Sequence, residues 1–349
     1  MRPQEEGFTL ITVAAFTGGQ DVPSARFRVR QHVPALRRLG FDLREWPAPL
    51  GAFPPRARWL RPAWGVATLA GRLPGIAWSY RSDVTLLQRE MLSTFATLEP
   101  LTKRPRVLDV DDAIFLFRGG RFAEKLARAS DSVICGNDYL AERFRCWNDR
   151  VEVVATAVDT DRYAPAAAGT DPDRVVIGWM GTSSNLEYLY RIEGALGRVL
   201  RECRGAKLSV VSDRAPRFRR LPTDRVEYSR WRPEAELGTI QGTTVGIMPL
   251  ADSSWERGKC SLKMLLYMAC EVPVAVSPVG MNAEVLAKGE IGIGASSEDE
   301  WVDALVGLLR DARERERMGK VGRRVVQEHY SVAVIAPRLA GHLRAIAKG

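Results

Sequence analysis

Cysteine, histidine and long apolar runs are all sparse in this 349-residue chain, and each shortage removes a class of protein. The five cysteines, Cys135, Cys146, Cys203, Cys260 and Cys270, are odd in number and never spaced Cys-x-x-Cys. That pattern gives neither a disulfide framework nor a zinc site. Histidine occurs three times, at 32, 329 and 342. No run of about 18 apolar residues is present to cross a bilayer as a helix. Gln4, Glu5 and Glu6 precede a short apolar stretch, so the start of the chain lacks a secretory pattern and the expected location is the cytoplasm.

Acidic residues are missing where basic ones crowd. Residues 26–81 hold eleven arginines against Asp42 and Glu45, an excess equal to the +9 formal charge of the whole chain. Trp46, Phe53, Trp59, Trp64, Trp78 and Tyr80 are interleaved with them. This mixture suits an anionic membrane surface or an acidic, lipid-linked acceptor. The composition alone also fits nucleic acid or a solubilising basic face over ordinary core aromatics.

The rest is the composition of a folded protein, 46% hydrophobic and 27% charged, with length enough for two domains of roughly 150 residues. Strand-like and helical patterns alternate throughout, which predicts an α/β chain of parallel sheets covered by helices. Strands are expected at 9–15, 41–46, 84–88, 106–110, 132–135 and 151–155, then at 175–180, 207–211, 226–228, 245–249, 272–277 and 291–294. The small residues and prolines of 163–172 read as a linker. A long Arg- and Glu-rich helical region is expected from Trp301 to about His329, with a last helix from about Val332.

The most informative stretch runs from Trp255 to Asn282. Leu262, Leu265, Leu266 and Ala269 recur at helical spacing, Ser261 is the expected cap, and Val272, Val274 and Val276 form a following strand. Lys259 and Lys263 then fall at the positive end of a helix, where a cation is unfavourable by about 0.3–1 kcal/mol unless an anion binds. A solvated lysine pair is the plainer reading.

Lys259, Lys263, Tyr267-Met-Ala, Pro273-Val and Ser277-Pro-Val-Gly280 stand in the order of a signature of nucleotide-sugar glycosyltransferases. The chain resembles the retaining family-four glycosyltransferases of bacteria. That resemblance implies a GT-B fold: two Rossmann-like domains facing across a cleft, residues 1–164 for the acceptor and 165–330 for the donor. It also implies a terminal helix, 331–349, that crosses back onto the first domain. The donor sites it implies are Gly181, Thr182, Ser183, Lys259, Lys263, Gly280, Met281, Asn282 and Glu284.

On the first domain, Gly18 and Gly19 after strand one, Ser24-Ala-Arg26-Phe-Arg28-Val, Gln88-Arg89-Glu90 and Leu108-Asp-Val-Asp111-Asp112-Ala match the same branch. Gly18, Gly19, Arg26, Arg28, Arg89, Asp112 and Asn137 are thereby assigned to the acceptor. Asp111 and Lys263 are the catalytic assignments. Many relatives have a histidine where Asp111 stands, so Asp111 either takes that place or pairs with Arg28 or Arg89. Asn137 is equally an ordinary helix cap.

Two glutamates eight apart mark the family; the aligned positions here are Gly258 and Leu266. Asp109-Val-Asp111 also has the spacing of a metal-binding Asp-x-Asp, a rival that leaves the second α/β half unexplained. The expected activity is sugar transfer from a nucleotide-diphosphate donor to a hydroxyl acceptor, retaining, with no metal and no cofactor. Its expected place is the cytoplasm or the inner face of the plasma membrane, and nucleic acid is not an expected partner. The missing glutamates keep a second expectation open, a catalytically inactive GT-B partner of an active enzyme.

Overall fold

The computed structural model describes residues 10–348 except Asp21, Ala52 and 167–174. The expected linker at 163–172 thus lies partly outside the described residues. Among the described residues, twelve strands form two parallel six-stranded sheets. The first contains β1 (Ile11–Thr17), β2 (Phe41–Pro47), β3 (Val84–Gln88), β4 (Arg106–Val110), β5 (Ser132–Cys135) and β6 (Val151–Val153), in the order β2-β1-β3-β4-β5-β6. The second contains β7 (Val175–Met180), β8 (Ala206–Ser212), β9 (Val226–Arg230), β10 (Val245–Met248), β11 (Val274–Val276) and β12 (Gly292–Gly294), in the order β12-β11-β10-β7-β8-β9. Each expected strand is found. Parallel strands covered on both faces must be apolar along their length, which is why short runs such as Val-Val-Ile and Val-Ala-Val announce themselves.

Contacts divide the chain into two units. The first comprises Met1–Ala157, Gly258–Cys260 and Val332–Gly349, and the second Val158–Arg257 and Ser261–Ser331. In the first unit Val13, Ala15, Val84, Leu86, Val107 and Ile134 share a core with Ile335, Leu339 and Leu343 of the last helix, Val332–Lys348. Those three recur every fourth residue and form one apolar stripe. Arg344 donates to Leu39 O (2.7 Å), and His342 Nε2 meets Ser132 Oγ at 2.7 Å. The expected crossing of the terminal helix onto the first domain is therefore present.

In the second unit Ile177, Leu208, Val210 and Ile247 pack with Leu196, Leu200, Trp301 and Leu305 from helices on the sheet. The helical region expected from Trp301 to about His329 is present, with a break between Glu298–Arg310 and Ala312–Val325. Asp311 breaks it, because its carboxylate accepts from Glu314 N (2.9 Å) and caps the second piece.

Part of the acid-poor stretch is on the surface, although Arg28, Leu36, Phe41, Arg72 and Ile76 of the same stretch are buried. Helix Arg61–Ala70 exposes Val66, and Phe53 (70%) and Trp59 (80%) stand beside the exposed Arg56, Arg58 and Arg61 in sequence.

Candidate functional site

In the first sheet β2 and β3 flank β1 on opposite sides. The loops leaving the carboxyl ends of β1 and β3 must diverge, and open α/β sheets bind ligands in the crevice so formed. Gly18, Ser24, Gln88, Arg89, Glu90 and Met91 line a pocket there. Gly19 has φ +141°, a backbone region that favours glycine. Two arginines that the sequence shows only as part of a basic stretch hold these loops. Arg30 donates to Gly19 O (2.6 Å) and pairs with Glu45 (2.6 Å). Arg72, buried, donates to Thr17 O (2.8 Å) and Trp46 O (2.7 Å), and burial lowers its pKa to about 10.

Arg28 is engaged inside the first unit. It is buried, its Nε donates to Asp109 Oδ2 (3.0 Å), its Nη2 to Asp109 Oδ1, and its Nη1 to Val154 O (2.7 Å). Burial disfavours the cation, but the charge and hydrogen bonds of Asp109 outweigh it and raise the pKa. Arg28, which the resemblance assigns to the acceptor, is thus engaged in a buried pair with Asp109, and Asp109-x-Asp111 does not offer two free carboxylates to a metal. Arg26 is half-buried, its guanidinium 4.3 Å from the Phe27 ring centroid.

Arg89 donates to Asp112 Oδ2 (3.1 Å) and lies 3.7 Å from Glu90 Oε2. Burial again opposes the cation, and Glu90, Asp112 and Asp111 overcome it. Asp111 is different, since its Oδ1 is buried without a hydrogen-bond partner. A carboxylate oxygen near two guanidiniums and without a donor of its own can accept a proton or a hydroxyl. Asn137 caps helix Asp138–Arg145 by accepting from Leu140 N (2.9 Å), and its Nδ2 donates to Lys259 O (3.1 Å).

Gly258–Cys260 packs with the first unit, and Cys260 Sγ lies 3.3 Å from Asp111 O. A Cβ on Gly258 would stand 2.7 Å from Ala113 Cβ and 2.9 Å from Ala113 N. At the first of the two glutamate positions the backbone therefore leaves no space for a side chain. At the second, Leu266 is buried in its helix.

The second sheet has its own reversal, with β8 and β10 flanking β7. Gly181, Thr182 and Ser183 follow β7. A Cβ on Gly181 would meet the Trp179 ring at 2.6 Å and Lys263 Nζ at 3.2 Å, and Lys263 Nζ lies 5.7 Å from the Trp179 ring centroid. Glycine at 181 lets the lysine lie against the turn. Ser183 N and Oγ donate to Asp213 (2.6 and 2.8 Å), and Thr182 Oγ1 meets Ser184 Oγ at 2.9 Å. Both donors of Ser183 are thereby engaged, an interaction between distant residues that no local pattern announces. Burial disfavours the Asp213 anion, but the Ser183 bonds keep its pKa below the ordinary value.

Ser261 does not cap helix Leu262–Ala269; at φ +50° it donates Oγ to Asn282 Oδ1 (2.7 Å). Asn282 is fully buried and donates to Ser277 O (3.1 Å). It joins the loops before two helices, Leu262–Ala269 and Met281–Leu286, rather than presenting its amide outward. Gly280 has φ +53°, and a Cβ there would meet Arg257 Cα and O at 2.9 Å. Met281 is buried and Glu284 exposed. Lys259 groups with the first unit and Lys263 with the second.

Residues 173–311 match the family model described as Glycosyl transferases group 1. Among solved structures, HepE of Anabaena in complex with UDP and glucose has a TM-score of 0.68 at 12% identity, covering 96% of this chain and 100% of its own. Sucrose-phosphate synthase of Thermosynechococcus elongatus has 0.70 at 14%, covering 96% and 98%. The glycosyltransferase WaaG, involved in lipopolysaccharide biosynthesis, has 0.66 at 13%, covering 95% and 99%. No curated protein matches the chain.

Proposed function

We propose that the chain moves a sugar from a nucleoside-diphosphate sugar to a hydroxyl acceptor, a reading supported by the match of residues 173–311 to the group 1 glycosyl transferase model and by the likeness of the fold to solved glycosyltransferases. Lys263 against the Gly181 turn carries the reading. A cation held at the carboxyl end of β7 stabilises the diphosphate as it leaves, and stabilising charge that develops in the transition state is the largest catalytic contribution in many enzymes. Asp111 in the first unit orients the acceptor hydroxyl or takes its proton. Retention at the anomeric carbon and independence from a metal are part of the proposal, and HepE with UDP bound motivates UDP as the first donor base to try. The test is release of nucleoside diphosphate from UDP-, GDP- and ADP-sugars with EDTA present. Turnover supports the reading, whereas turnover that needs added Mg²⁺ removes metal independence and none with any sugar leaves a non-catalytic protein.

The acceptor in this proposal is lipid-linked, and the chain works at an anionic membrane surface. Exposed Phe53, Trp59 and Val66 supply apolar contacts, while Arg56, Arg58 and Arg61 meet anionic headgroups at about 1 kcal/mol per charge near the surface. Sedimentation with phosphatidylglycerol vesicles should fall when Trp59 and Val66 become serine. Equal sedimentation of the variant would refute the membrane role.

A further inference from the structure

Between the loops that follow β3 and β4, the first unit holds another pocket, lined by Thr94, Phe95, Arg118, Arg121, Phe122 and Lys125. Three of its seven lining residues, Arg118, Arg121 and Lys125, are cationic. Among the described residues none of the three cations has a carboxylate partner within ion-pair distance. Glu124, the acid nearest in sequence, pairs with Arg128 (2.9 Å). Arg121 and Lys125 are one turn apart on helix Arg121–Ala129, a spacing at which like charges repel.

Arg118 is held rather than free. Its Nε donates to Thr94 Oγ1 (2.9 Å), and its guanidinium carbon lies 4.2 Å from the Phe95 ring centroid. Thr94 (φ +62°) and Arg118 (φ +49°) both occupy the left-handed region that non-glycine residues avoid. Strain of this kind persists where surrounding structure imposes it, and it concentrates at ligand sites. An oriented guanidinium and two repelling cations around a concavity form an arrangement that a bound anion relieves.

We propose that this pocket binds a phosphate or carboxylate carried by the sugar acceptor. Thr94 comes five residues after Arg89, and Arg118 six after Asp112, so both walls grow from the loops that carry the Arg89–Asp112 pair and Asp111. An acceptor anchored here by its anion would present a hydroxyl toward that same end of the sheet. The word acceptor rests on the glycosyltransferase reading, whereas the anion site does not.

The experiment is calorimetric titration of the full chain with inorganic phosphate at low ionic strength, using wild type, Arg121→Ala/Lys125→Ala and Lys263→Ala. Wild type and Lys263→Ala should bind phosphate, and the double variant at least tenfold more weakly. Nucleoside-diphosphate binding retained by the double variant shows that it is folded. Displacement of phosphate by glucose 6-phosphate or by glucuronate, but not by glucose, separates the two anion classes. No phosphate binding by wild type, or equal binding by the double variant, overturns the proposal. If phosphate binds as expected while no nucleoside diphosphate does, the pocket stands and the transferase reading fails.

Discussion

Replacing Lys263 with alanine is expected to lower sugar transfer by about 100-fold to 1,000-fold, with the thermal midpoint unchanged. The size follows from removing one preorganised charge from a developing anion, a loss of about 2.7–4 kcal/mol of transition-state stabilisation. The unchanged stability follows from position. Lys263 is only half-buried, in the first turn of Leu262–Ala269, and alanine is a better helix former than lysine. The cost of a cation at the helix start and its contact with the Trp179 ring oppose each other, so the variant should match wild type in the absence of donor. Steady-state kinetics beside a melting curve separates the cases, and full activity would remove Lys263 from the leaving-group site.

The largest stability effect should come from Asp109→Ala. Arg28 and Asp109 are both buried and doubly hydrogen-bonded, and they connect the end of β4 to Val154. Removing one member of such a pair leaves a buried charge without its partner and costs about 3–5 kcal/mol. Replacing both with apolar residues of similar volume, Arg28→Met with Asp109→Leu, should recover much of that loss, because desolvation of two charges is relieved along with their attraction. Urea unfolding of the first unit measures it. A loss below about 1 kcal/mol for Asp109→Ala would mean that water or a rearranged neighbour satisfies Arg28.

The strands were legible because each buried parallel strand is a short apolar run between turn residues. Roles of individual polar residues were less so. Arg28 and Arg89 sit in equally suggestive motifs, yet Arg28 is engaged internally and Arg89 lines the pocket by Gly18. What separates them is burial against Asp109, set by the sheet. The Ser183–Asp213 and Ser261–Asn282 bonds join residues 30 and 21 apart, and a reading of local spacing does not reach them. The break at Asp311 was readable, since Asp311 with Glu314 has the form of a capping box. Gly258 shows a third case, because its empty side chain looks like a lost function in sequence and is a steric requirement against Ala113 in the fold.

The central claim, that the Gly181 turn and Lys263 receive the diphosphate of a sugar donor, is tested most directly by thermal shift with UDP, GDP and ADP against the matching nucleosides. At least one diphosphate should stabilise wild type, by about 2.7 kcal/mol at 100 times its dissociation constant. Its nucleoside should give a much smaller shift, and Lys263→Ala should lose most of the diphosphate effect. A chain that no diphosphate stabilises, or a Lys263→Ala variant stabilised as strongly as wild type, would contradict it.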